Sequence, residues 1–424
     1  MIQIVQKTTG KIHSTEFLHA HRKSNTDFTR NRTLTFPRLV CFMLNAINGA
    51  IQNELCRFFQ EIDDSPVSLV SVSTAAFCKA RKKLSFRAFI SLNNTLIDTF
   101  YQSQQVKRWH GLRLLTVDGS VTILPKNEVL LNHFGKARSH SVQPAVRISQ
   151  LYDVKNKLTI DLRVEPHNTG ERNMALKHLD HAQKGDVIVY DRGYPAVWFL
   201  KYHLAKDVDF CTRATLDSSN IIKAFVASGK MSEIIAFPCT EKSLRRCRKD
   251  GLSTESINLR LVRVNLSTGT TEILITSLID EVTFPTSIFS DLYYQRWGVE
   301  EDYKVMKSRL SIENFSGISV EAILQDIHAK TLTKNLTSIA IIEANKIKTS
   351  PRKYECRINV THALSQLKDN IVRLLMDISI DGLSSLMIER ISKITNPYRP
   401  DRKFERPHCR MIRVKYTMAY KRPC

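Results

Sequence analysis

The spacing of apolar and polar residues changes rhythm several times along this chain of 424 residues. From Pro37 to Ile62, PRLVCFMLNAINGAIQNELCRFFQEI keeps apolar side chains at three- and four-residue steps, which predicts a helix facing a core. SVSTAAFCKARKKL, from Ser71 to Leu84, predicts a second helix with Ser73 as N-cap. Its Arg81, Lys82 and Lys83 stand in a last turn, where cations suit the helix dipole. SFRAFISLNNTLIDTFY, from Ser85 to Tyr101, predicts a third. Short helices with tight turns and a basic cluster are compatible with a helix-turn-helix reader, and a plain helical bundle fits equally well.

Beyond Leu112 the rhythm shortens. LRLLTV (Leu112 to Val117) reads as a short apolar strand, followed at once by Asp118, Gly119 and Ser120. VRISQLYDV and LTIDLRV, between Val146 and Val164, read as a strand pair turning at Lys155-Asn156-Lys157. NMALKHLDHA (Asn173 to Ala182) is amphipathic. DVIVY (Asp186 to Tyr190) is a strand of buried type, ending in Asp191-Arg192-Gly193-Tyr194. Residues 215–285 are β-rich, with a hairpin from INLRLVRVNL and TTEILITSLI around Ser267-Thr268-Gly269. A helix then carries YYQRWGVEEDYKVMK (Tyr293 to Lys307), and a long one spans Ser319 to Ile347. Strands mixed with helices in this order predict an α/β or α+β domain.

Charge narrows the class of partner. The hydrophobic content of 42% is that of a globular protein, but 63 Lys+Arg against 41 Asp+Glu gives a net charge of +22. That excess predicts a polyanionic partner, nucleic acid before an anionic membrane surface. LVCFMLNAINGAI (Leu39 to Ile51) falls short of the roughly 20 apolar residues of a membrane span. The N-terminus lacks the apolar stretch of a signal peptide, so the expected location is the cytoplasm. Nine scattered cysteines without C-x-x-C argue against disulfides and against zinc. His19, His21, His178 and His181 read as surface or packing residues. The tail from Arg399 to Cys424 holds nine Lys/Arg against two Asp/Glu.

Three acids stand out against this basic background. Asp118 and Asp191 each end a short strand, where α/β sheets present functional groups to a crevice, although Asp-Gly and Asp-x-Gly are also ordinary turn signals. On a continuous helix, Tyr293, Arg296, Glu300, Lys304 and Lys307 fall within about 80° of one another, and Glu301 lies off that stripe. Taken alone, the stripe also suits a solvated helix with Arg/Glu/Lys pairs. Three carboxylates gathered in one cleft repel unless a cation sits among them, and few oxygen ligands suit Mg²⁺, with Mn²⁺ as the alternative. Two such ions clamp the attacking and leaving oxygens of a phosphoryl displacement.

Tyr293, Arg296, Glu300 and Lys307 stand in the spacing Y-x2-R-x3-E-x6-K. This resembles the signature of the DDE transposases of bacterial insertion sequences, in the IS-four family. Trp297, LTVDGS, VYDRGYP, SLIDEVTFP and NFSG agree with it, and the likeness runs from STAAFCKARKKL to the basic tail. The resemblance implies a ribonuclease-H-like (retroviral-integrase-like) α/β catalytic core. Asp118, Asp191 and Glu300 would bind two catalytic divalent ions. Tyr293, Arg296 and Lys307 would contact phosphates of the element's ends, and Trp297 a flipped base. Arg213 is placed either on DNA or in an exposed role.

The expected organisation is a helical DNA-binding region at 1–105, the first part of the core at 106–214 and a β-rich insertion at 215–285. The second part of the core, with Glu300, follows at 286–345, and a helical C-terminal region with the basic tail at 346–424. The implied function is cleavage at insertion-sequence ends and strand transfer into target DNA. Its partners would be the terminal inverted repeats and target DNA, bound as a dimer at the bacterial nucleoid, with no membrane. A catalytically silent or domesticated DNA binder, and a metal-dependent nuclease without strand transfer, are the alternatives.

Overall fold

The computed structural model describes residues 1–399 apart from 31, 46–47, 67–71, 104–105, 138–141, 267–268, 349–353 and 379–381. The Ser267-Thr268 turn and the basic tail after Arg399 lie outside the described residues. The chain opens with helices α1 (Ile2–His13), α2 (Thr15–His21), α3 (Phe36–Leu44), α4 (Ile51–Asp63), α5 (Thr74–Arg81) and α6 (Arg87–Tyr101). Strand β1 (Arg113–Ile123), α7 (Glu128–Phe134), β2 (Ala145–Asp153), β3 (Leu158–Pro166), α8 (Glu171–His178), β4 (Asp186–Tyr190), α9 (Val197–Leu204) and β5 (Asp209–Ala214) follow. Next come α10 (Asn220–Ser228), β6 (Ser232–Phe237), α11 (Glu241–Lys249), β7 (Ile257–Asn265) and β8 (Thr271–Thr276). The chain continues with α12 (Phe289–Tyr294), α13 (Trp297–Ser308) and α14 (Val320–Ile347). β9 (Cys356–Ile358), α15 (Val360–Leu375), α16 (Leu383–Lys393) and β10 (Thr395–Pro397) complete the described chain. These elements fall into two compact units, one of Met1–Gln105, Thr122–Val146 and Val305–Cys424, the other of Val106–Val121 and Arg147–Lys304.

The first unit is helical and built around α14, which contacts α3, α6, α15 and α16. A helix with neighbours on every side is buried all round, and α14 buries Ile323, Ile327, Leu332, Leu336 and Ile339 together with Gln325, Asp326, Lys330 and Asn335. The polar members are satisfied. Arg81, at the end of α5, donates from Nε to Gln325 Oε1 (3.0 Å), from Nη1 to Ser316 Oγ (2.7 Å) and from Nη2 to Asp326 Oδ1 (3.0 Å). The Ser316 N–H donates to the second Asp326 oxygen at 2.6 Å. Arg81 therefore ties α5 to the NFSG segment and to α14, and is not part of an exposed basic face. Ser73 caps α5 as the sequence predicts, its hydroxyl accepting the Ala76 N–H. The single helix expected over 37–62 is instead α3 and α4. Glu54 accepts the N–H groups of Asn48 and Gly49, fixing a new helix start where Asn45, Asn48 and Gly49 already weaken the first.

The second unit is organised on an eight-stranded mixed sheet of order β3-β2-β1-β4-β5-β8-β7-β6. β4 runs parallel to both β1 and β5, and all five residues of its DVIVY are buried, as expected of a central parallel strand. Arg113 and Asp186 face each other in register and form a buried fork, Nε and Nη2 donating at 2.7 and 2.6 Å. Such a bidentate pair resists a slip of β1 against β4. The 215–285 segment supplies β6, β7 and β8, which continue this same sheet beyond β5 through antiparallel pairs. His178 is a packing residue, fully buried between the Ser149 hydroxyl (3.0 Å) and Asp161 (2.7 Å).

Candidate active site

β1 loses its cover part-way along. Arg113 to Val117 are buried, while Asp118 to Val121 are only half-buried, although the strand runs on to Ile123. Asp118 thus lies within β1 and not at its end, a correction to the sequence reading. Asp191 follows β4 directly. The parallel register runs to the pair Thr116 and Val189, and Asp118 and Asp191 each stand two residues beyond it, Asp118 inside β1 and Asp191 one residue past the end of β4.

The third acid comes from a broken helix. α12 ends at Tyr294 and α13 begins at Trp297, so Tyr293 and Arg296 do not share one continuous helix with Glu300. The stripe of five residues fails there. Glu300 and Lys307 do share a face of α13, two turns apart. Lys304 pairs with Glu301, and both are exposed.

Each acid has its own partner. Asp118 accepts the N–H of Gly119 at 2.8 Å. Burial pushes its pKa up to about 6, against the pull of that N–H and of Arg296, with the Glu300 and Glu171 carboxylates adding to the rise. Asp191 accepts the Tyr293 hydroxyl at 3.1 Å and lies 3.8 Å from Arg213 Nη2. Burial, then the Asp191 charge, holds the Tyr293 phenol well above its ordinary value, so it remains a donor. Glu300 accepts Arg296 Nη1 at 2.9 Å, one of the Arg/Glu pairs that the stripe also suits. Arg213 is neither fully exposed nor unpaired, since it also holds Glu272. Burial opposes the charge on Arg296, but Tyr293, Asp191 and Glu300 outweigh it. Its guanidinium lies 5.8 Å from the Tyr293 ring centroid and 5.2 Å from that of Trp297, and its buried Nε has no partner.

A crevice of about 840 Å³ runs past Asp191, Arg213, Tyr293, Arg296, Trp297 and Glu300. Trp297 is 48% exposed, unlike Tyr293 at 6%. Asp118 stands outside the lining of that crevice but within the electrostatic field of Glu300 and Arg296. The oxygen donors have the chemistry of a hard-cation site, and Asp118 has only one neutral donor against two neighbouring acids. Among the described residues, however, no three acidic, His or Cys side chains converge closely enough to hold one ion. Two neighbours escaped the sequence reading. Tyr303 donates its hydroxyl to the backbone oxygens of Asp118 (3.0 Å) and Ile148 (3.3 Å), and Glu171 approaches Gly119. Neither residue type carries a spacing signal of its own.

Residues 109–336, more than half of the chain, match the family described as "Transposase DDE domain". The chain belongs to that family, whose members catalyse DNA cleavage and strand transfer and generally use divalent metal ions. Among curated proteins it is 21% identical over 280 residues to the transposase InsG for insertion sequence element IS4 from Escherichia coli K12, a match covering 64% of this chain. It is 18% identical over 349 residues, 70% of this chain, to the transposase for IS231B from Bacillus thuringiensis subsp. berliner. With the transposase for IS231E from Bacillus thuringiensis subsp. finitimus it shares 20% over 331 residues, 66% of this chain. The matches span 62%, 70% and 66% of those relatives' own lengths. Among solved structures the chain is similar to the piggyBac transposase synaptic complex with hairpin DNA. That similarity has a TM-score of 0.44 at 12% identity and covers 94% of this chain and 83% of that one. No helix among the described residues is long and apolar enough to cross a membrane.

Proposed function

We propose that this protein cleaves DNA at the ends of an insertion sequence and joins those ends to target DNA. Asp118, Asp191 and Glu300 serve as its carboxylates. The reading rests above all on β1 and β4 being parallel neighbours, with Asp118 and Asp191 each two residues beyond the pair Thr116 and Val189 and with Glu300 in the field of Asp118. The order β3-β2-β1-β4-β5 supports a ribonuclease-H-like core within the larger sheet. In this reading Mg²⁺ or Mn²⁺, as two ions, would take oxygen ligands from these acids, which do not converge closely enough in this structure to hold one, and would stabilise the charge that develops on phosphate oxygens.

The chain's own residues divide the remaining work. Arg296 keeps Glu300 oriented and has an unused Nε donor for a phosphate oxygen. The Tyr293 hydroxyl orients Asp191. Lys307, on the Glu300 face of α13, is the second phosphate contact of the reading, and Trp297 is an exposed ring on which a base can stack. The helical region at 1–105 is assigned to DNA binding. Supporting this, Arg30, Arg32, Lys79 and Lys83 line a groove of about 970 Å³ there. The remaining domain boundaries expected from the sequence, a dimer on DNA and a place at the nucleoid belong to the same proposal.

Incubating the protein with a labelled element end and Mg²⁺ tests the reading. Glu300→Gln is expected to keep DNA binding and lose cleavage by a factor on the order of 10³. Binding without cleavage by the parent protein would favour a silent DNA binder. Cleavage without joining would favour a nuclease.

A further inference from the structure

The segment at 215–285 carries a helix whose charge the proposed chemistry does not use. α11 holds Lys242, Arg245, Arg246, Arg248 and Lys249 against the single acid Glu241, five cations less one acid, or +4 in nine residues. α1 and α5, with two Lys/Arg and no acid each, come next among the described helices. The Thr240 hydroxyl accepts the Ser243 N–H and starts α11, which buries Ser243 and Cys247 and packs on α9. Arg246 belongs to that packed side. Its guanidinium lies 5.2 Å from the Trp198 ring centroid, and it pairs with Asp250.

The rest of the charge faces water. Lys242, Arg245, Arg248 and Lys249 are exposed, and beside Glu241 they make up the whole exposed face of α11. Arg245 pairs with Glu241, but both side chains are nearly four-fifths exposed, so the pair holds little. Lys242–Arg245, Lys242–Arg246, Arg245–Arg248, Arg245–Lys249 and Arg246–Lys249 are neighbours at three or four residues. Like charges at those spacings destabilise a helix, whereas a merely solvated face alternates signs. A polyanion laid along α11 relieves all five repulsions and sheds its own counterions. No apolar residue stands on this face to sink into a bilayer. Lys242 and Lys249 are about 10 Å apart along the axis, the span of about three phosphates of one DNA strand. The supporting helix α9 begins at Val197, six residues after Asp191.

We propose that α11 is a DNA-holding surface of the sheet unit, gripping the phosphate backbone of duplex DNA whatever its sequence. This rests on the reading of the protein as an enzyme that cuts and joins DNA, and adds to it a contact outside the signature segment. Charge without base-reading groups positions a duplex and does not select it.

The test is fluorescence anisotropy of the full-length protein on a labelled duplex of arbitrary sequence, between about 50 and 200 mM salt. In Lys242→Gln/Arg245→Gln/Lys249→Gln the slope of log affinity against log salt is expected to fall by about three, about one per phosphate contact. The parent's advantage over that variant then shrinks roughly 40-fold across this range. Lys242→Arg/Lys249→Arg should keep the parent's slope. Lys184→Gln/Lys206→Gln/Lys230→Gln removes equal charge from lysines paired with Asp207, Asp180 and Glu233, and should leave the slope nearly unchanged. Equal effects of the two triple variants would reduce α11 to a share of net charge and overturn the assignment. An unchanged slope in the first, or a loss confined to duplexes carrying an element end, would do the same. If melting shows the first variant unfolded, Lys242→Gln and Lys249→Gln singly should each lower the slope by about one. A parent that binds no duplex at all would overturn the proposed function itself, and this surface with it.

Discussion

Arg81 in the helical unit and Arg296 in the sheet unit are both arginines removed from water, 4% and 6% exposed, and both face carboxylates. Their surroundings differ in completeness. All three guanidinium nitrogens of Arg81 have partners, and both oxygens of Asp326 accept hydrogen bonds. Arg296 keeps Nε without a partner, and its acid, Glu300, is 30% exposed at the side chain. A closed network spends its charge on holding elements together. An open one keeps donor and acceptor capacity for something that arrives later. Buried arginine by itself therefore says little, and the state of its partners separates scaffold from site.

The largest expected effect breaks the closed network. Arg81→Met leaves Asp326 buried without its cation, and about 3–5 kcal/mol of stability should be lost. Arg296→Met, whose acid retains water, should cost about 1 kcal/mol or less. Denaturant unfolding of the two variants side by side checks this, and equal losses would erase the distinction drawn here.

A smaller effect, of opposite sign, is expected at Asp118. Burial raises its pKa from the ordinary 3.8 to about 6, so between those values the folded protein binds the proton more readily than the unfolded chain. Stability should fall as pH rises from about 4 to 6 and stay at the lower level above it. Asp118→Asn removes the penalty. Reduced for the part of the carboxyl that water reaches, the gain at pH 7 should be on the order of 1–2 kcal/mol in chelator, vanishing below about pH 4. Melting temperatures across pH decide it, and a variant less stable than its parent at pH 7 would refute the sign. Smallest of all in stability, Trp297→Ala should change unfolding by under about 0.5 kcal/mol. It should still weaken binding of a DNA end by about 1–3 kcal/mol, read by fluorescence anisotropy.

Much of this architecture was legible without coordinates. Ser73 marks the start of α5, DVIVY marks the central strand, and the turn at Lys155-Asn156-Lys157 separates β2 from β3. These features are local, and local chemistry decides them. What failed depended on distant contacts. The 100° rule carried Tyr293 and Arg296 onto the Glu300 helix because neither Gln295 nor Arg296 is a breaker, yet the chain turns there. Just after that turn, a Cβ on Gly298 would come within 2.9 Å of Val154 Cγ1, a close approach to the β2–β3 turn that no window of sequence reports. The three acids stood out as strand-end and helix-stripe carboxylates, and the family likeness gave them roles. Tyr303 and Glu171 did not stand out, because what they touch lies across the fold.

Tyr303 has one more consequence. Its hydroxyl grips the peptide oxygens of Asp118 and Ile148, groups present whatever side chain position 118 carries. The helix bearing Glu300 is thus moored to main chain and not to the Asp118 side chain. A copy of the gene that loses the acid at 118 through mutation should still yield a properly shaped protein, and on the proposed function it would occupy DNA and compete with working copies while doing no chemistry.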